Sequence, residues 1–319
     1  MGTGDLYAVL GVSPEATQAE IKRAYFQRIR DCPPEANPEG FMSLRLAYET
    51  LSDTDRRAEY DARSKYDDVV KELVDDAWTL ASNGEWRKAA ERARRAAVLL
   101  PADRSIQVTL GELYLCAEMW AEAVQVLQGL CKQDSDDAQA HHHLGKALLG
   151  WSAQHPLWSQ KGQKLSLEGC EALRQAVRAD PAYFDAYIDL AQECVRHEQH
   201  KDAARWVESA LDAADRLSPN DIDALTLIMA LYIRTKDLAG VRRACSRAEQ
   251  LVTDDDAGGA AWVGARIVRA GCQFTAMGAF EAAAVILATA RNVCARDDII
   301  KAEFIASLED DIAVCRDMH

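Results

Sequence analysis

Ala19-Glu20-Ile21-Lys22-Arg23-Ala24-Tyr25 and Ala47-Tyr48-Glu49-Thr50-Leu51-Ser52-Asp53, with Pro33-Pro34-Glu35 between them, set the fold of the first part of the chain. Thr17-x-x-Glu20 is a capping box that opens a helix. Ile21, Tyr25 and Ile29 then recur every fourth residue and make one apolar face. Asn37-Pro38 supplies an N-cap followed by proline at the first helical position. Phe41, Leu44, Tyr48 and Leu51 form the facing stripe. Two antiparallel helices closing on these stripes predict a small helical hairpin with the Pro-Pro-Glu segment at its turn.

Working outward, Asp5-Leu6-Tyr7-Ala8-Val9-Leu10-Gly11-Val12 precedes the hairpin and Arg56-Arg57-Ala58-Glu59-Tyr60-Asp61 follows it. The four stretches, in this order, resemble the J-domain family, whose signature is a His-Pro-Asp triplet between the paired helices. The resemblance implies a J-like fold. In that family the triplet and a basic second helix engage a DnaK-type chaperone and trigger its ATP hydrolysis. Here Pro33 stands at the histidine position, so the imidazole and its hydrogen bonds are lost. Glu35 stands at the aspartate position and carries the charge one methylene further out. The segment Glu35 to Phe41 is shorter than the family pattern. The docking residues the resemblance implies are Lys22, Arg23, Arg28, Arg30, Pro33, Pro34 and Glu35. A basic helix of this kind steers toward an acidic partner surface. Two readings stand side by side: a modified docking or trigger loop, and a plain helix-to-helix turn.

From about residue 70 a repeat of about 34 residues takes over, with small residues where paired helices touch. The first unit carries Ala77 and Leu80, a Gly84-Glu85-Trp86 turn, Ala89, Ala96 and a closing Pro101. The second carries Leu110-Gly111, Tyr114, Ala123 and Leu127. The third carries Leu144-Gly145 and Leu148, ends at Ala176, and holds roughly a dozen extra residues. Leu190-Ala191, Ala203 and Val207 mark the fourth; Ile228, Tyr232, Val241 and Ala248 the weaker fifth. Gly271, Phe274, Gly278-Ala279-Phe280, Ala283 and Ala290 mark the sixth. These units resemble tetratricopeptide repeats. One such unit cannot bury its apolar face alone, but stacked units can. The expected architecture is all-α: a J-like domain at 1–66, a solenoid of about six helix pairs at 67–297, and a capping helix at 298–319 with Leu308, Ile312 and Cys315 on its apolar stripe. The charged linker Arg63 to Asp68 reads as helical, which limits freedom between the two parts.

Composition agrees. Of 319 residues 49% are apolar, which argues against disorder, and only 8 are Pro and 17 Gly. The net charge of -14 disfavours nucleic acid and anionic membrane as partners. Nine irregularly spaced cysteines without a Cys-x-x-Cys fit a reducing cytoplasm rather than a disulfide framework. The N-terminus lacks a basic and apolar leader pattern, and the longest apolar run, Ala282 to Ala288, is too short to span a bilayer.

In tetratricopeptide arrays the first helix of each pair lines the concave face. That resemblance puts Trp78, Glu112, Leu115, His142, Lys146, Leu149, Ile188, Gln192 and Ile233 in a partner-binding groove. Receptors of that family that hold a terminal carboxylate use Lys, Asn and Arg at positions occupied here by Val74, Trp78, Thr109, Gln139 and His143, none of which supplies the clamp. An apolar helix or extended peptide is the expected ligand. Trp151 and Trp158, in a segment read as a loop, are candidate interface anchors or covers of the repeat edge. His141, His142 and His143 point about 100° apart on a helix and cannot share one metal ion. His197 and His200 share a face but have no third ligand placed by sequence. No nucleotide-binding or hydrolase motif occurs. The expected function is a non-enzymatic, cytoplasmic adaptor without cofactor, whose groove holds a partner or client protein and whose head docks elsewhere. The alternatives are a co-chaperone regulating a DnaK-type ATPase and a structural subunit of a multiprotein assembly.

Overall fold

The computed structural model describes residues 5–35, 37–156, 158–214, 217–252, 257–296 and 302–318. The chain divides into two compact units, residues 1–126 and 127–319. Helices and turns make up the described residues, and no strand occurs among them.

In the first unit α1 (Leu6–Leu10), α2 (Gln18–Asp31) and α3 (Pro38–Leu51) close on a core of Leu6, Tyr7, Leu10, Ile21, Leu44 and Leu51. Both halves of the expected capping box form: Thr17 Oγ1 accepts from the Glu20 amide, and Glu20 Oε2 accepts from the Thr17 amide at 2.7 Å. Asn37 caps α3 through its Oδ1, which accepts from the Gly40 amide at 2.9 Å. Tyr25 stacks on Tyr48 with ring centroids 4.2 Å apart and planes 10° apart, joining the two predicted stripes.

The closing Arg-x-x-Tyr-Asp stretch has a physical job. Arg57 Nε donates to Tyr7 Oη at 2.9 Å, while its two terminal nitrogens donate to the carbonyls of Ala16 and Pro14. Tyr7 Oη donates to Asp61 at 2.7 Å, and Tyr60 Oη accepts from the Leu6 amide at 3.0 Å. The start of the module is thereby bolted to the helix that ends it. Burial, then the hydrogen bond to Asp61, raises the Tyr7 phenol above its usual value against the lowering pull of Arg57.

That last helix, α4, runs unbroken from Thr54 to Ser82, 29 residues. Asp53 caps it by accepting from the amides of Asp55 and Arg56. Neither Gly nor Pro occurs between its ends, so nothing stops it. It serves both as the close of the N-terminal module and as the first helix of the first repeat pair, against α5 (Trp86–Leu99). The expected division at residue 66 therefore falls inside one helix.

The chain continues with α6 (Arg104–Cys116) and α7 (Trp120–Gln133), joined by a short turn. In the second unit come α8 (Ala138–Ala153) with α9 (Gln160–Ala179), α10 (Phe184–Arg196) with α11 (His200–Ala213), α12 (Ile222–Arg234) with α13 (Leu238–Gln250), and α14 (Ala257–Ala276) with α15 (Phe280–Cys294). Helix α16 (Ala302–Asp317) covers α15 with Leu308, Ile312 and Cys315 buried, the expected stripe. The expected start of the cap, at residue 298, lies outside the described residues. Small residues sit where helices approach: Ala89, Ala123, Ala203, Ala283 and Ala290 are fully buried. A methyl on Gly145 would stand 2.6 Å from Leu173 and 3.1 Å from the Gly169 carbonyl, so α8 and α9 approach to backbone contact there.

The repeat also shows in the turn inside five of the six pairs, all but α8–α9. Gly84, Glu118, Glu198, Lys236 and Gly278 all have φ between 56° and 77°. Each follows the first helix of its pair and reverses the chain in a left-handed step. Three of the five are not glycine and carry backbone strain.

The extra residues of the third unit do not form the long loop expected of Gly150 to Trp158. Gly150 to Ala153 complete the last turn of α8, which reaches 16 residues, and α9 reaches 20, where α6 has 13 and α7 14. The surplus is absorbed as extra helical turns because each can bury against the other, as Gly145 and Gly169 permit.

Candidate docking surfaces

The altered triplet sits on the outside of the N-terminal module. Pro33, Pro34 and Glu35 are all exposed. The turn is held by the Asn37 amide donating to the Pro33 carbonyl at 3.1 Å. Lys22, Arg23 and Arg30 on α2 are exposed and form no ion pair among the described residues. Arg28 differs from the expectation. Its Nη1 donates to the Val9 carbonyl at 2.7 Å, and its guanidinium lies against Gly11. It braces α1 against α2, so a docking role for it competes with a structural one.

The residues expected in the repeat groove divide. In the first unit Trp78 on α4 is 45% exposed, while Glu112 and Leu115 on α6 are half-buried. Burial pushes the Glu112 carboxyl above its usual value. In the second unit Lys146 and Gln192 are exposed and Ile188 is half-buried against the core. His142 is a correction. It is 4% exposed, with Nε2 2.8 Å from Asp189 Oδ2 and Nδ1 3.2 Å from Tyr183 Oη. Both ring nitrogens are engaged between α8 and α10, so the imidazole ties two first helices together and offers nothing to a ligand.

The tryptophans divide as well. Trp151 is half-buried in α8 with Lys161 Nζ 4.7 Å from its ring centre, which makes it a cover of the α8–α9 edge. Trp158 is 84% exposed in the turn before α9.

A polar cluster that the sequence did not announce lies between α8, α9 and α10. Arg196 donates to Glu193 at 2.7 Å and to Ser152 Oγ at 2.8 Å, and Ser166 donates to Glu193. His197 Nε2 lies 3.2 Å from Glu193 Oε1 and 3.5 Å from Ser166 Oγ. Burial raises the Glu193 carboxyl, but hydrogen bonds from Arg196 and Ser166, with the charges of Arg196 and His197, outweigh it and leave it below the usual value. A serine, a histidine and an acid stand together, yet not as a nucleophilic relay. Glu193 reaches the nitrogen that faces the serine, where a relay needs it on the opposite ring nitrogen. The cluster is a satisfied internal network. Its only sequence signal is Glu193 and Arg196 at helical spacing. Among the described residues no group of His, Cys, Asp or Glu is arranged to hold a metal ion.

Comparison with known proteins bears on the first unit. Residues 5–61 match the family model of the DnaJ domain. The N-terminal module is a J-domain. It is similar to the Chaperone protein DnaJ of Synechococcus elongatus, 47% identical over 68 residues, which is 19% of this chain and 24% of that protein. It is also similar to the Chaperone protein DnaJ 1 of Aquifex aeolicus, 43% identical over 72 residues, which is 21% of this chain and 20% of that one. The chain thus spans about a quarter or less of the length of these relatives. Among solved structures, a thermophilic TPR protein of Thermus thermophilus aligns over 57% of this chain and 89% of its own, with 16% identity and a TM-score of 0.44. A tetratricopeptide repeat protein from Parabacteroides merdae aligns over 76% of this chain and 98% of its own, with 13% identity and a TM-score of 0.42. The TPR-like solenoid rests on its helix pairs, buried small residues and recurring left-handed turns. The module ties its first helix to its last through Tyr7, Arg57, Tyr60 and Asp61, and between α2 and α3 it carries Pro33-Pro34-Glu35.

Proposed function

We propose that this chain is a non-enzymatic protein-interaction adaptor, with the repeats holding a partner or client protein and the J-domain docking on a second surface. The observation that carries the reading is an exposed J-domain face whose triplet reads Pro33-Pro34-Glu35, in a module whose last helix is the same continuous helix that begins the repeats. Without the imidazole donor of the family signature, docking survives more readily than triggering of ATP hydrolysis. Exposed Trp78 is the anchor of the partner surface in the first unit. The irregularly spaced cysteines without a Cys-x-x-Cys favour the cytoplasm as its site of action, and no helix among the described residues is long and apolar enough to cross a membrane.

The second reading, a co-chaperone regulating a DnaK-type ATPase, is favoured by the exposed cations Lys22, Arg23 and Arg30 beside the triplet. The test uses the full chain, because a cut at residue 66 would sever α4. Steady-state ATP hydrolysis by a DnaK-type chaperone is measured with the natural protein and with Pro33→His/Glu35→Asp. The adaptor reading expects no stimulation by the natural protein and stimulation by the double variant. Stimulation by the natural protein, lost on charge reversal of Lys22 and Arg23, establishes the co-chaperone instead. Partner affinity in Trp78→Ala tests the repeats: an unchanged affinity refutes Trp78 as the anchor.

A further inference from the structure

The last two complete repeats frame an open cavity of about 530 Å³ between α12 and α14. Its walls are two helical stripes. On α12 they are Asp223, Leu227, Ala230, Ile233 and Arg234; on α14 they are Arg266, Arg269, Ala270 and Phe274, with Met277 just past its end. The spacing of three or four residues along both helices means that each presents one continuous face to the cavity.

The chemistry of these faces runs against that of the molecule. The chain carries a net charge of -14, yet three arginines and a single aspartate line this cavity. Arg266 is committed: it pairs with Asp223 at 3.1 Å and lies 5.4 Å from the centre of the Trp262 ring. Arg234 and Arg269, one from each wall, are exposed and form no ion pair among the described residues. Leu227, Ala230, Ile233 and Phe274 give the lining an apolar part beside the polar Thr226 and Gln273, and Met277 is 62% exposed. Two uncompensated guanidiniums on opposite walls ask for more than one carboxylate. The apolar part of the lining asks for an apolar side chain beside them.

We propose that the α12–α14 cavity binds an acidic segment of a partner polypeptide, with Asp or Glu side chains set on Arg234 and Arg269 and an aliphatic side chain over Leu227 and Phe274. This rests on the reading of the repeats as a partner-binding surface and names the chemistry one part of that surface selects. The α12 stripe from Asp223 to Arg234 spans about 16 Å at the helical rise, the reach of about five extended residues. A nucleic acid also carries anions, but the net charge of the whole chain repels a polyanion, and a phosphate backbone leaves the apolar part of the lining uncovered.

The test uses the full chain and a fluorescent peptide of alternating Glu and Leu, about eight residues long so that it overhangs the cavity. Its controls are a Gln-for-Glu peptide, an amidated peptide and a single-stranded oligonucleotide of equal length. The expected result is saturable binding that weakens about tenfold or more in Arg234→Glu/Arg269→Glu. That binding should persist on amidation, weaken with rising salt, and vanish for the Gln peptide. Both arginines are exposed, so circular dichroism should show the variant folded. Undiminished peptide binding in the double variant overturns the inference, as does loss of binding on amidation alone or tighter binding of the oligonucleotide. If a natural partner binds the double variant normally but not Trp78→Ala, the partner-binding reading stands and this inference fails.

Discussion

At the scale of single residues, the left-handed turns separate backbone strain from packing. Gly84 has φ 76°, and a methyl added there would meet no atom within 4 Å. Gly84→Ala should therefore cost about 1 kcal/mol through backbone strain alone; an unchanged urea midpoint would show that the turn adjusts. Glu118, Glu198 and Lys236 already bear this strain at the equivalent place, which is why the glycine pattern in the sequence faded after the first repeat and returned at Gly278. His143 supplies a second residue-level prediction. Burial foremost, with the charges of His142 and Lys146, lowers its imidazole from 6.5 to about 4. The unfolded chain takes up a proton near pH 6.5 that the folded chain refuses until about pH 4, so folding stability falls as pH drops through that window. The loss should be about 3 kcal/mol. Chemical denaturation of His143→Gln at pH 7 and pH 4.5 should show a shallower pH dependence than the natural chain; equal slopes would mean that His143 does not control it.

At the scale of elements, α4 is the most consequential helix. Its 29 residues belong to the J-domain at one end and to the first repeat at the other. Beside it, Arg63 pairs with Asp103 at 3.4 Å across a cleft closed by Leu100 and Pro101. Ser64 is exposed mid-helix. Ser64→Pro removes a backbone donor and clashes with the carbonyl four residues back, costing about 3 kcal/mol. It should open the chain to protease near residues 60–68, whereas Ser64→Ala should not; equal cleavage of both would mean that α4 is not a rigid strut. The capping signals Thr17-x-x-Glu20 and Asn37-Pro38 were legible because a cap is a local event between neighbouring residues. The helical end of α8 was not legible, because Gly150-Trp151-Ser152-Ala153 stays helical only through α9, many residues later in the chain.

At the scale of the whole molecule, charge is distributed unevenly. Within an acidic chain, exposed cations stand on α2 of the J-domain and at the α12–α14 cavity. The first was readable, since Lys22, Arg23, Arg28 and Arg30 cluster within one helix, though Arg28 proved to serve the fold through Val9. The second escaped, because Arg234 and the pair Arg266 and Arg269 lie on different helices and meet only when repeats stack. His142 escaped for the same reason: Asp189 and Tyr183, its partners, come from the next repeat.

What the sequence determined by itself was periodic and local: the J-domain motifs, the alternation of helices and turns, the small residues at helix crossings and the stripe Leu308, Ile312 and Cys315. Each depends on spacing along one helix or across one turn, which a linear pattern encodes directly. What only the tertiary structure decided was which polar side chains are consumed inside. His142, Glu193 and Arg196 are spent on internal hydrogen bonds, while Arg234 and Arg269 remain at the surface facing a cavity. That division follows from desolvation. A polar group between stacked helices must find its partner there, and the partner's identity is fixed by packing rather than by neighbours in sequence.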